Sequence, residues 1–408
     1  TATVNGIDAS RREGLVLPPS GFAIDVAVSD AQNQWPDLGA VEVQFAGTGT
    51  APGTAALLED AVIDYGTVSM TVPADAPLSA GEWTLTVRVR DLSGNVGTSS
   101  TLAFTVHPLD GNLMPFERTQ VVWVRTDLDR DNDGTPDFDE DMLRLGFATA
   151  GDPIGSNASM RALVLDGILA QANRLYGRGD RGQPIDAGSV ALRFTQRLPI
   201  ALPHMQMALG GLDPEGDGGR DYGAVSTGIL GRAYYDYRNG NPAERNTSTG
   251  PGLGVFPAEM WLYQCRIHEQ VQGSFVTTFA QKFLPLCPDM GGTPAGAHVH
   301  DAVVLAPGFD YAAATSSQRA RWNTIMNAAD DWATVIGIIL AHEVGHSVGL
   351  VAPGPAPSGL FGDSSLHNTF SSAAEVMAAA VGYESMVSLD YRFRDLDLAY
   401  LRQRVLLR

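Results

Sequence analysis

Basic residues are scarce in this chain. Lysine and arginine total 27 against 46 aspartates and glutamates, a net charge of −19. A nucleic-acid binder needs a basic face for phosphates, so nucleic acid is excluded as a partner. The acidic balance suits calcium, solubility and cationic substrates instead. Cysteine is rarer still: Cys265 and Cys287 are the whole supply. That count excludes a four-cysteine metal site, and no C-x-x-C motif is present. Their short separation favours a disulfide in an exported protein, adding about 3 kcal/mol by loop closure, over the alternative of two buried free thiols in a cytosolic one. No uncharged run of 18 apolar residues occurs, so no transmembrane segment is expected. No leader is visible either, and Thr1 opens on polar, strand-like sequence, as in a mature secreted chain. A monomer is expected.

What is present points to several domains. The 408 residues include 45 glycines and 24 prolines, and 44% are hydrophobic. Such a chain folds as a globular protein with many turns. Residues 1–107 alternate apolar and polar positions in FAIDVAVSD, VEVQF, VSMTV, WTLTVRVRD and STLAFTV, each ended by turn residues. Period-2 runs at this spacing predict an all-β sandwich. WTLTVRVRDLSGNVGTSSTLAFTV resembles bacterial immunoglobulin-like modules, in which a D-x-x-G-N turn joins the last two strands.

Residues 108–150 read as a linker carrying a metal loop, DRDNDGTPDFDE. Asp129, Asp131, Asp133, Thr135, Asp137 and Glu140 occupy alternating oxygen-donor positions, with Gly134 at the sharp turn. Carboxylates this close repel one another without a cation. The run resembles an EF-hand loop, and more nearly the isolated loops of thrombospondin type 3 repeats and dockerins. That resemblance implies structural calcium (Ca2+) stiffening a domain junction. VVWVR before it reads as a strand.

The third region, 151–408, mixes helix and strand. SMRALVLDGILAQANRLYG has helical periodicity, with Leu163, Ile168, Leu169 and Leu175 on one apolar face. SVALRFTQRLPI reads as a strand, DAVVLAPG as a short buried strand, and YRFRDLDLAYLRQRVLL as a C-terminal amphipathic helix. DWATVIGIILAHEVGHSVG is apolar nearly all round and predicts a helix at the domain centre. Its HEVGH places His342 and His346 one turn apart on one helix face. Catalytic zinc takes three protein ligands and keeps one position open. Glu343, beside the first histidine, is placed to reach the attacking water as general base. Gly349 ends the helix.

HEVGHSVG, His342 to Gly349, resembles the metzincin clan of zinc endopeptidases. The resemblance implies an α+β peptidase domain, a catalytic Zn2+, a third ligand and a methionine in a tight turn beneath the metal. The usual third-ligand position is Ala352, which cannot bind zinc. VAPGPAPSGLFGDSSL then reads as an insertion, of the kind leishmanolysin-like members carry, displacing the ligand to His367. Met377 follows ten residues later in EVMAAAVGY, which resembles the methionine turn, and Tyr383 is a candidate phenol for the oxyanion. Asp363, Glu375 and the pair His298/His300 stay open as alternative ligands. The activity implied is a secreted zinc endopeptidase acting on protein or peptide substrates. A zinc hydrolase of non-peptide amides shares the same site. A catalytically silent calcium-binding adhesion or scaffold protein is the rival. The tripeptide RGD at 178–180 and the sequons at Asn157 and Asn246 are frequent chance matches, and DPEGDGGRD at 213–221 reads as a loop with some capacity for calcium.

Overall fold

A computed structural model describes residues 2–4, 7–8, 15–17, 22–28, 36–47, 62–64, 66–72, 78, 81–91, 93–98, 101–106, 119–185, 189–199, 204–214, 222, 227–236, 239, 247–250, 252–270, 277–354, 360–369, 374–394, 397–398, 400–401 and 406–407. The chain divides into two units. One comprises Thr1–Glu117, Val351–Thr369 and Phe393–Arg408; the other comprises Arg118–Leu350 and Phe370–Arg392.

The first unit is built on strands. They are β1 (Ala2–Val4), β2 (Ile7–Asp8), β3 (Leu15–Leu17), β4 (Phe22–Ala27), β5 (Pro36–Gly47), β6 (Val62–Asp64), β7 (Thr67–Val72), β8 (Gly81–Asp91), β9 (Val96–Thr98) and β10 (Leu102–Val106). One sheet runs β2-β1-β4-β7-β6. In the other, the strand Leu406–Leu407 is followed in order by β3, β10, β8 and β5, with β9 on β8. Alternation decides what is inside: Trp83, Leu85 and Val87 of β8 and Phe104 and Val106 of β10 are buried, as are Ile24, Val26, Val68 and Met70 in the other sheet. The DLSGN turn between β8 and β9 closes through Asp91, whose carboxylate accepts from the Asn95 backbone N–H and side-chain amide, both at 2.7 Å. Gly94 takes φ +89° there, a left-handed conformation that glycine adopts without strain. Only part of the C-terminal segment is the predicted amphipathic helix, with 397–398 and 400–401 helical among the described residues. Its end is a strand, Leu406–Leu407, antiparallel to β3.

The second unit starts earlier than the sequence suggested. Residues 119–150 fall within this unit rather than forming a separate linker. β11 (Gln120–Arg125) is an inner strand of a parallel sheet ordered β12-β11-β13-β15, with β12 at Leu192–Thr195, β13 at His204–Ala208 and β15 at Thr247–Ser248. Val121, Val122 and Val124 are buried, as expected of a strand covered on both faces. A separate ribbon pairs β14 (Gly231–Arg232) with β16 (Gly254–Val255), antiparallel. Helix α1 (Asp137–Leu145) follows the acidic loop, and α2 (Asn157–Leu175) crosses from β11 to β12. Leu163, expected on the apolar face of α2, is exposed, whereas Met160, Val164, Leu165 and Ile168 are buried. α3 (Pro257–Gln270), α4 (Thr278–Phe283), α5 (Asp301–Val304), α6 (Ser316–Ser347) and α7 (Tyr383–Ser388) complete the unit.

α6 is one continuous helix of 32 residues. It begins at a capping box, in which Thr315 Oγ1 accepts from Gln318 N and Gln318 Oε1 accepts from Thr315 N, satisfying donors that the first turn leaves open. It is long and apolar enough to cross a membrane, but 67% of its apolar window is buried inside the protein, as in a core helix. Two glycines let α2 and α6 approach closely. A Cβ at Gly337 would lie 2.8 Å from the Ile168 carbonyl oxygen, and one at Gly167 2.8 Å from Ala333 Cβ.

DAVVLAPG contains a helical turn, α5, rather than the predicted strand. The reason is Asp301. Its fully buried carboxylate accepts from Gly296 N at 2.8 Å and His298 N at 3.0 Å and is clamped by Arg321. Those bonds wind the chain into a turn that hydrophobicity alone does not reveal.

The expected Cys265–Cys287 disulfide is not formed. Both cysteines are free and buried, their thiols in hydrogen-bond contact. Other partners hold the Cys287 sulfur: it accepts from Trp261 Nε1 at 3.3 Å and donates to the Arg144 carbonyl at 3.0 Å.

Candidate metal centre

The two helical histidines are fixed by carbonyls. His342 Nδ1 lies 2.6 Å from Val376 O, and His346 Nδ1 lies 3.1 Å from Leu350 O. A carbonyl can only accept, so each Nδ1 carries the proton and each Nε2 presents a lone pair. Those two Nε2 atoms face each other at 3.1 Å. Two lone pairs at that separation repel unless a cation lies between them. Two nitrogens bound tetrahedrally at 2.0–2.1 Å would be about 3.3 Å apart, close to what is found. His367 joins them, with one ring nitrogen from each of the three histidines falling within 4.8 Å of the others. The donor set therefore fits zinc, and backbone acceptors on metal-binding imidazoles are the usual outer support.

His367 reaches this place through a strained turn. Leu366, just before it, has φ +67°, and Phe361 has φ +59°, conformations that cost of order 1–3 kcal/mol outside glycine. Asp363 organises the turn: its Oδ1 accepts from Ser365 N at 2.8 Å and His367 N at 2.9 Å. Those bonds, the one from His367 N first, hold the Asp363 carboxyl below its usual range. Burial pushes the His367 imidazole down, opposed by the Asp363 charge, which favours the neutral, ligating form. Asp363 is thus a scaffold for the histidine, and the histidine trio contains neither Asp363 nor Glu375 among the described residues. His298 and His300 stand apart from that trio. His298 Nδ1 accepts from the His300 backbone N–H at 3.3 Å, as in a structural turn.

Gly349 has φ +93°, and Leu350 N bonds back to Gly345 O at 2.9 Å, a left-handed stop that swings the chain off α6. Met377 is fully buried against the α6 turn that carries His342 and His346: a Cβ at Gly345 would sit 2.6 Å from its sulfur. Val376, next to it, is the residue whose carbonyl holds His342. Ala352 is buried, and its carbonyl accepts from Leu360 N and Gly362 N. Tyr383, the candidate phenol, is buried and donates to Asp331 Oδ2 at 3.1 Å. Burial, with the Asp331 charge, raises its pKa well above the usual tyrosine range. It is a packing residue.

Glu343 projects from α6 beside β14. Burial pushes its carboxyl up to about 8, opposed by the Arg232 charge. Arg232 is anchored by Asp213 Oδ1 at 3.0 Å. Asp213 is fully buried and also accepts from Thr227 Oγ1. Glu259 Oε1, in turn, accepts from the backbone N–H of Asp213 and of Thr227. Asp213 is thereby committed inside the protein, and 215–221, the rest of that acidic loop, lies outside the described residues. Arg178 of the RGD tripeptide is buried, donating to Val190 O and Gly182 O. Asn157 spends its amide on Thr149, and Asn246 lies outside the described residues.

The acidic loop gathers its carboxylates into two overlapping trios, Asp129/Asp131/Asp137 and Asp131/Asp133/Glu140. Backbone bonds shape it: Gly134 N to Asp129 Oδ2 at 3.0 Å and Thr135 N to Asp133 Oδ1 at 2.8 Å, with φ +99° at Gly134 and +62° at Asn132. Each oxygen of Asp137 accepts one bond from Arg130, from its backbone N–H at 2.9 Å and from Nε at 2.5 Å, which leaves a second lone pair on each. Burial, helped by Asp133 and Asp131 against Arg144, pushes Glu140 up to about 7.

No protein-family model matches the chain, and no curated protein is similar to it. Among solved structures, CopC from Methylosinus trichosporium OB3b is 13% identical over 27% of this chain and 97% of its own, with a TM-score of 0.18. The SrpA adhesin of Streptococcus sanguinis is 17% identical over 40% and 76%, with a TM-score of 0.18. The fimbrial subunit MyfA of Yersinia enterocolitica is 14% identical over 26% and 98%, with a TM-score of 0.12. At such scores none carries an argument about fold or function.

Proposed function

We propose that this chain is a secreted zinc-dependent endopeptidase, in which a metzincin-like catalytic domain follows an immunoglobulin-like β-unit. One observation carries the reading. The imidazoles of His342, His346 and His367 present convergent nitrogens, and carbonyls fix two of the three in the metal-binding tautomer. When bound there, zinc would supply Lewis acidity, polarising the scissile carbonyl and acidifying the attacking water. Glu343 takes the water's proton on its carboxylate and delivers it to the leaving amide nitrogen. Met377 and Gly345 pack the floor under the histidines, and Val376 holds His342 in orientation.

The test is metal analysis of purified protein. About one zinc per chain is expected, with casein cleavage abolished by a chelator and restored by zinc. His367→Ala should lose both the zinc and the cleavage. A wild-type chain free of zinc and inert toward casein would favour the silent scaffold. Full metal content in His367→Ala would remove the displaced third ligand.

The acidic loop belongs to the same reading as a structural calcium site formed by Asp129, Asp131, Asp133, Thr135, Asp137 and Glu140. Calcium at a hundredfold its Kd should raise the melting temperature by about 5–10 °C. Asp131 is shared by both carboxylate trios, so Asp131→Ala should abolish the rise. Differential scanning fluorimetry with and without calcium decides it, and an unchanged wild-type midpoint would dismiss the site.

A further inference from the structure

The Glu343 side chain lies beside the backbone of Gly231. A Cβ built on Gly231 would stand 2.6 Å from both Glu343 Cγ and Oε1, and 2.7 Å from Cδ. Atoms that close cannot coexist, so any residue but glycine at 231 would push the carboxylate away. The glycine sits on a fixed strand. Gly231 pairs with Val255, and Arg232 with Gly254, in the β14–β16 ribbon. Phe256 N donates to Leu230 O at 2.9 Å just before it. On the other side Arg232 is tied to buried Asp213, itself bonded to Thr227. Val255 and Phe256 are fully buried. β14 is therefore a rigid wall, and its single bare position faces the carboxylate.

We propose that Gly231 is a positioning residue, a side-chain-free slot in β14 that holds the Glu343 carboxylate at the place where it meets the attacking water. The proposal rests on the zinc-peptidase reading for its catalytic meaning, but its geometry stands apart from that reading. A positioned base loses effectiveness quickly when displaced, since about 1 Å of misplacement can cost 10²-fold in rate. Alanine at 231 adds one methyl group, and the group that must yield is Glu343, because the strand is pinned on both sides.

The experiment compares the wild type, Gly231→Ala, Glu343→Ala and the double variant, with Gly250→Ala as control. Gly250 has nothing within 4 Å of a built Cβ. Gly231→Ala is expected to keep the wild-type zinc content while kcat on a peptide substrate falls about 100-fold and KM stays within about twofold. Gly250→Ala should match the wild type. Thermal midpoints supply a readout free of activity: Gly231→Ala should lower the midpoint in the wild-type background but not in Glu343→Ala, where the colliding side chain is gone. A Gly231→Ala chain with wild-type kcat, or one destabilised equally in both backgrounds, would overturn the proposal. Were the zinc-loaded wild type to cleave nothing, the peptidase reading would fail, and the midpoint cycle would still decide whether Gly231 holds Glu343.

Discussion

Glu343→Gln is expected to lower peptide hydrolysis by about 10²–10⁴-fold, the range typical of a lost general base, while zinc content stays that of the wild type. Glutamine has nearly the shape of glutamate and fills the same slot beside Gly231. It cannot accept the water's proton. The metal should be unaffected, because the three nitrogens that converge belong to His342, His346 and His367. The loss should fall in kcat rather than KM, since the carboxylate serves the transition state more than substrate binding. Paired measurements of zinc by elemental analysis and of kcat on a fluorogenic peptide test this directly. Wild-type kcat in Glu343→Gln would mean that the base lies elsewhere.

A second large effect is expected far from the metal. Arg321→Ala should destabilise the second unit by about 3–5 kcal/mol, the cost of stranding a buried charge. Arg321 Nε and Nη2 grip Asp301 at 2.7 and 2.9 Å, and Nη2 also donates to Thr293 O and Pro294 O at 3.0 Å. Asp301 is fully buried. Burial favours its neutral form, but the Arg321 hydrogen bond, the His298 and Gly296 N–H groups and the Arg321 charge outweigh it and hold its pKa below the usual 3.8. A depressed carboxylate contributes stability that is fully present above the unfolded value and is lost as pH falls through the folded one. The wild-type advantage over Arg321→Ala should therefore be complete at neutral pH and shrink below about pH 4. Urea unfolding of both proteins from pH 7 to pH 3 checks it. A pH-independent difference, or one under 1 kcal/mol, would contradict the assignment.

The parts of the site that could be read from the chain are local. His342, Glu343 and His346 obey a helical spacing, and a capping box and an unbroken apolar run make the helix that carries them. Asp129 to Glu140 obey a loop spacing. The strands of the first 107 residues follow period-2 alternation, and Gly349 marks a helix end. Other residues left no such trace. Val376 and Leu350 act through backbone carbonyls, which any residue type supplies. Gly231 matters for a missing side chain, which leaves no mark in the residues around it. Asp301 turned an expected strand into a helical turn through bonds to Arg321, 20 residues away.

Short-range order, then, was written in the residues themselves: repeat spacing sets which side chains share a helix face or ring a loop. Four things depended on how distant segments meet. They are the arrival of His367 across its proline- and glycine-rich insertion, the inner position of β11, the free state of Cys265 and Cys287, and the pairing of the last strand with β3. The physical reason is the same in each case. Helix faces and turns follow from neighbours a few bonds apart, whereas these contacts join groups whose encounter depends on the packing of everything between them.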